Sequence, residues 1–461
     1  MRRLALALLL FPAVPLYAQQ RLPAPERRVA DIVRAVSARR VESDIRALVS
    51  FGTRHTLSDT LSPTRGIGAA RRWIKAQFDS MSAACGGCLE THYVAEMIGP
   101  APRVPTPTSV VSVVAVQRGQ TDTGRVVIIS GHFDSRVSSD ANVTDSAPGA
   151  NDDASGTVAV IEAARVLSGG GRRFGATIVY AVLAGEEQGL LGGQIVARWV
   201  RANGWRVEGV LNNDIVGNTR GADGANDDRT VRLFSDGVPP TETDAERSRR
   251  RSTGGEVDGI SRQLARYVER IGRRYVPELD PWLIYRLDRF GRGGDHRAFA
   301  DLGFPAMRIT EAHEDWTRQH QDIRVVDGVQ YGDLPDAVNF TYAARITALN
   351  AAALASLAWA PAPPRAVRIS GGGRPSAVLS WQPPDDSAQV GGYRVFWRRT
   401  DAPTWNSWAD VAAGATTHTF TNLVIDNYFF GVASLSREGS ESTVVFPGPP
   451  PPRQAAPPAR P

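Results

Sequence analysis

Two adjacent carboxylates, Glu186 and Glu187, follow the apolar, β-branched run ATIVYAVLA (176–184), whose composition predicts a buried strand. Neighbouring anions repel, and a carboxylate taken out of water is costly unless positive charge compensates it. A solvated turn would explain a lone Glu-Glu pair, but this pair has company. VVIIS (126–130) runs into Gly131-His132-Phe133-Asp134, and VEGVLNN (207–213) runs into Asp214. Three predicted strands therefore end in residue types that ligate metals. A fourth segment, PGANDDASG (148–156), puts Asn151, Asp152 and Asp153 at the start of a predicted helix. Helix capping accounts for one of these aspartates. It does not account for a ligand at every neighbouring strand end.

The elements that must position these groups alternate. Strand-like runs SVVSVVAVQRG, GRVVIISGHFDS, ATIVYAVLAGEE and VEGVLNNDIVG are separated by the helical patterns ASGTVAVIEAARVLS and QGLLGGQIVARWVRANG. Such alternation predicts an α/β domain with a mostly parallel central sheet flanked by helices. In open parallel sheets, sites gather beyond the carboxyl ends of the strands, so residues distant in sequence meet at one rim. Helices are predicted over 25–82 ahead of this region, and an Ala-rich helix closes it before residue 360. Residues 217–255 read as a polar, Arg- and Gly-rich loop in which ERSRRR (246–251) is a solvated charge run. His, Asp and Glu without Cys suit Zn²⁺ or Mn²⁺. The carboxylate excess suits two cations sharing one bridging ligand, with one glutamate of the pair left free as a base.

GHFDS (131–135), APGANDDASG (147–156), AGEEQGLLGG (184–193), NNDIVGN (212–218) and RQHQD (318–322), taken in order, resemble the motif set of the M28 family of zinc aminopeptidases across roughly residues 40–358. The resemblance implies a zinc aminopeptidase-like fold, two Zn²⁺ per chain and a peptide substrate cleaved at its amino end. By it, Asp152 bridges the metals, His132 and Asp214 complete one, and Glu187 and His320 the other. Glu186 matches the general base. Asp134 would hold the imidazole of His132. His313 is the runner-up to His320 as last ligand, Asp295 and His296 lie near the site without ligating, and His55 is structural. The resemblance also implies a cis peptide between Asp152 and Asp153. Three rivals share the pattern: a glutaminyl cyclase, with one zinc; a carboxypeptidase-like hydrolase using Arg286, Arg289, Arg292 and Arg297 to clamp a carboxylate; and a non-catalytic secreted binding protein.

Arg2 and Arg3 precede the apolar run LALALLLFPAV, and Leu16-Tyr17-Ala18 offers a cleavage point, so residues 1–18 read as a signal peptide and the mature protein as secreted or periplasmic. No later run approaches the roughly 20 apolar residues a membrane span needs. The net charge of +5 is small for 461 residues, and no aromatic-interleaved basic stripe points to nucleic acid. Oligomeric state has no signal in the sequence. Cys85 and Cys88, in CGGC, read as a local disulfide of an exported protein. The segment 25–360 thus forms the metallopeptidase-like domain, and PAPP (361–364) a stiff linker. Beyond it AVLSWQPP, GGYRVFWRR, HTFTNL and NYFFGVASLS predict a β-sandwich over 361–448, resembling a fibronectin type III domain with Trp381, Tyr393, Trp397, Leu423 and Tyr428 at its marker positions. A Pro-rich tail, 449–461, follows.

Overall fold

The computed structural model describes residues 22–448; the signal-peptide and Pro-rich-tail assignments lie outside them. Three helices open the chain: α1 (Arg27–Ala35), α2 (Ala38–Val49) and α3 (Gly66–Ala84). Strands β1 (Glu90–Ile98), β2 (Thr108–Gln117) and β3 (Asp122–His132) lead to α4 (Ala154–Ser168), then β4 (Ala176–Leu183), α5 (Leu191–Ala202) and β5 (Arg206–Asn213). After β6 (Thr230–Phe234) come α6 (Asp244–Thr253), α7 (Ile260–Tyr275), β7 (Asp280–Ile284), α8 (His296–Ala300) and β8 (Ala306–Glu311). A short hairpin, β9 (Arg324–Val326) and β10 (Val329–Tyr331), precedes the closing helix α9 (Phe340–Trp359).

The eight strands order as β1-β2-β4-β3-β5-β8-β6-β7. The middle four, β4-β3-β5-β8, are parallel. All eight residues of β4 are buried, as a strand covered on both faces should be. Helices α4, α7 and α9 pack on one face, with α1 and α2 behind them, and α5 and α8 on the other. This places the carboxyl ends of β4, β3 and β5 side by side at one rim. Cys85 and Cys88 are disulfide-bonded.

The segment 217–255, read as loop, contains strand β6 and helix α6. The arginine-rich run lies on α6, opened by a capping box in which Thr243 and Glu246 satisfy each other's backbone N–H. The Thr-x-x-Glu spacing carried that signal, but no apolar period supported it, and α6 has no buried residue.

The C-terminal strands β11 (Arg365–Ser370), β12 (Ala377–Gln382), β13 (Gly392–Arg399), β14 (Ser407–Ala412), β15 (Thr417–Phe420) and β16 (Tyr428–Leu435) form two three-stranded sheets, β11-β12-β15 and β14-β13-β16. Trp381 and Tyr393 sit in their shared core with ring centroids 5.3 Å apart. The sandwich is docked on the first domain. Asp258, just ahead of α7, accepts from Arg266 Nη1 of α7 (2.6 Å) and, through both oxygens, from Arg398 Nη2 of β13 (2.8 Å each). Trp405 Nε1 donates to Gln263 Oε1 (2.9 Å), and Arg270 pairs with Glu441. The PAPP segment is thus flanked by contact and does not act as a free spacer.

Candidate metal centre

The three strand ends deliver their side chains to one place. His132 closes β3, the Gly185-Glu186-Glu187 turn follows β4, and Asp214 follows β5. Asp152 arrives on the loop before α4, and the peptide that follows it, Asp152–Asp153, is cis. Asp153 is the capping aspartate. Its carboxylate accepts from Gly156 N (2.8 Å), His132 N (3.0 Å) and Ile215 N (3.3 Å), tying the helix start to two strand ends. Asp152 is left free to face the site.

Asp152 divides its two oxygens between two imidazoles: Oδ1 lies 3.2 Å from His132 Nε2 and Oδ2 lies 2.8 Å from His320 Nε2. The flanking carboxylates each split in a different way. Asp214 Oδ2 is held by Arg308 Nη1 (2.7 Å), leaving Oδ1 toward His132 Nε2 (3.9 Å). Glu187 Oε2 is held by Arg136 Nε (2.9 Å), leaving Oε1 3.0 Å from His320 Nε2 and without a hydrogen-bond partner. Ligand atoms cluster as His132, Glu186 and Asp214, and as Asp152, Glu187 and His320. His313 is in neither group; its carbonyl accepts from Asn218. His320, not His313, is thus the histidine gathered with Asp152 and Glu187.

This donor set fits divalent zinc, a borderline ion suited to imidazole and carboxylate. Electrostatics agree. Although burial opposes the charged form, Glu187 and Asp152 push the His320 imidazole up to about 10. His132 is likewise held well above its ordinary range, its burial outweighed by Asp134 and Asp152. The carboxylates around both imidazoles favour positive charge at this place.

Glu186 is half-buried. Burial pushes its carboxyl well above the usual range, with Asp214 and Glu187 adding to the effect and His132 opposing it. Its orientation comes from Asp134, whose Oδ1 accepts from Glu186 N (3.2 Å) and Oδ2 from Glu187 N (3.1 Å). Asp134 also fixes His132, chiefly through its backbone carbonyl, 3.1 Å from Nδ1, while its carboxylate lies at 3.5 Å. One aspartate thus sets both the imidazole and the glutamate turn.

Several supporting groups escape a reading of the sequence. Asp333 accepts from Asn151 N (2.9 Å) and Asp152 N (2.7 Å), presenting the loop that carries Asp152, and burial pushes its carboxyl up to about 7. Gln319 Nε2 donates to Asp152 Oδ2 (2.9 Å). Arg308 is fully buried inside β8, and Arg136 also reaches His320 Nδ1 (2.7 Å). An arginine within an apolar strand was the available signal, since burying one requires a partner. His55 is buried, with Nε2 3.0 Å from the Asp140 carbonyl, and His296 Nε2 lies 2.8 Å from the Leu287 carbonyl. Of the arginines considered as a carboxylate clamp, Arg289 and Arg292 already hold Glu314, whereas Arg286, over the Phe290 ring, has no ion pair among the described residues.

Comparison with known proteins agrees with this architecture. Residues 112–338 match the model of peptidase family M28, and residues 362–447 that of the fibronectin type III domain. A probable zinc metalloprotease of Leptosphaeria maculans is 42% identical over 428 residues, 93% of this chain and 98% of its own. Another from Pyricularia oryzae is 42% identical over 90% of this chain and 83% of its own. Among solved structures, the Legionella pneumophila LapA aminopeptidase shares the fold, with a TM-score of 0.53 at 21% identity over 75% of this chain and 78% of that one. The chain belongs to peptidase family M28 and carries a fibronectin type III domain after its peptidase domain.

Proposed function

We propose that this chain is an exported, two-zinc aminopeptidase in which Glu186 is the general base. The observation that carries the reading is the shared carboxylate: Asp152 faces one imidazole with each oxygen, and a further carboxylate stands on either side. Zinc bound by His132 and Asp214, and by Glu187 and His320, with Asp152 between, would polarise the scissile carbonyl and acidify water. Glu186 takes the proton of the attacking water and returns it to the leaving amine. Asp134 keeps Glu186 and His132 in register during the transfer. The carboxylate-rich rim attracts a free α-ammonium group, which favours cleavage at the amino end. The zinc metalloprotease relatives and the aminopeptidase neighbour point the same way.

Replacing Glu186 with Gln is the direct test. The variant is expected to keep two zinc ions per chain by elemental analysis while hydrolysis of an aminoacyl-anilide falls about 10²–10⁴-fold. Unchanged hydrolysis by the zinc-loaded variant would refute the base. One zinc per chain, together with cyclisation of an N-terminal glutamine peptide, would refute the hydrolase in favour of a cyclase.

A further inference from the structure

Next to the candidate metal centre runs an open groove of about 500 Å³ whose walls are arginine and aromatic side chains. Trp282, Phe290 and Trp316 line it, and each exposes more than half of its surface. Large aromatics left in water at one place mark a binding surface more often than chance does. The charge there is unbalanced. Glu314 is the single carboxylate lining the groove, and it is shared by Arg232 (2.8 Å), Arg289 (3.2 Å) and Arg292 (3.0 Å). Arg286 is exposed, has no ion pair among the described residues, and lies 5.5 Å above the Phe290 ring. The groove begins one side chain from the site: Arg292 Nη1 donates to Gln319 Oε1 (3.3 Å), and Gln319 donates to Asp152.

We propose that this groove receives the leaving-side residues of the peptide substrate and selects those bearing a carboxylate, with Arg286 as the free cation that reads it. The proposal rests on the aminopeptidase reading for its direction. Such an enzyme holds one residue on the amino side of the bond, so the rest of the chain must lie beyond the centre, and this groove starts one side chain from it. A surplus of guanidinium groups, which bind carboxylates in a fork, sets the sign of the preference. The aromatic rings supply contact area that does not depend on sequence. The carboxylate could belong to an acidic side chain or to the C-terminus of a short peptide; the chemistry is the same.

Four peptides separate these sources: Leu-Ala-Glu-amide, Leu-Ala-Lys-amide, Leu-Ala-Gln-amide and Leu-Ala-Gln with a free terminus. Binding is measured by calorimetry on the zinc-loaded, full-length Glu186→Gln chain, so that no peptide is consumed. The Glu peptide is expected to bind about tenfold more tightly than the Lys peptide, with the Gln amide between and the difference shrinking in high salt. A free-terminus Gln peptide that binds like the Glu peptide would identify the terminal carboxylate as the group read. Adding Arg286→Glu should abolish or reverse the order. Equal binding of all four peptides, or an order that Arg286→Glu leaves intact, would overturn the proposal. Leucine anilide, which has no peptide on the leaving side, judges the catalytic reading separately. If the parent chain fails to cleave it while binding stays ordered by charge, that reading fails and the groove stands.

Discussion

Replacing Arg308 with Met tests whether the candidate centre is assembled before any ion arrives. The guanidinium is fully buried, pairs with Asp214 Oδ2 at 2.7 Å, donates to the Asp214 carbonyl at 3.3 Å and lies 3.7 Å from Asp288. It therefore fixes Asp214 by side chain and backbone together, leaving Oδ1 as the oxygen aimed at the site. Methionine fills much of the same space without charge or donors. Losing a group that orients a ligand costs about 10–100-fold in metal affinity, or about 1.4–2.8 kcal/mol at about 1.4 kcal/mol per decade. An opposing effect exists, because removing a cation near a metal relieves repulsion. It should be the smaller one: Asp214 pairs with the guanidinium directly and Asp288, shared with Arg289, adds to its neutralisation. Metal-stripped protein is titrated with zinc against a chromogenic chelator, with circular dichroism as the check on folding. Of the two zinc ions proposed, the one assigned to His132 and Asp214 is expected to weaken by the stated factor, and Arg308→Lys to fall between. Zinc binding by Arg308→Met as tight as the parent's, or tighter, would refute the orienting role.

Breaking the buried charge cluster between the domains should be costly. Asp258→Ala leaves Arg266 and Arg398, each with a 1% exposed side chain, without their carboxylate, and a loss of about 3–5 kcal/mol is expected, read as a lower urea midpoint by tryptophan fluorescence. A loss below about 1 kcal/mol would mean that the domains are held together elsewhere. Export predicts a mature protein that starts at Gln19, measured by N-terminal sequencing of material recovered outside the cytoplasm; an intact Met1 there would count against it.

Much of the candidate centre was legible because its side chains follow strands whose apolar runs are unmistakable. His132, Glu186, Glu187 and Asp214 sit at the ends of β3, β4 and β5, and parallel pairing of those strands then forces them together. His320 was harder to read. It lies in an irregular loop with φ of 56°, and only the resemblance to M28 motifs chose it over His313. The arginines were illegible for a different reason. Arg136 looks like an ordinary solvated charge, and Arg308, although its apolar strand marks it for burial, does not name its partner, until the fold shows which carboxylate each one meets 51 and 94 residues away. The docking of the sandwich was hidden in the same way, since Asp258 and Arg398 are 140 residues apart and nothing local to either marks the other.

That docking bears on how far the catalytic cleft can range. A module on a loose tether lets an enzyme sweep the volume around whatever it is anchored to. Here Asp258, Arg266 and Arg398 weld the sandwich to α7, so anything the sandwich grips also dictates where the cleft points. Only peptides presented at that one bearing could be cut by an anchored molecule, whereas molecules in free solution would have no such restriction.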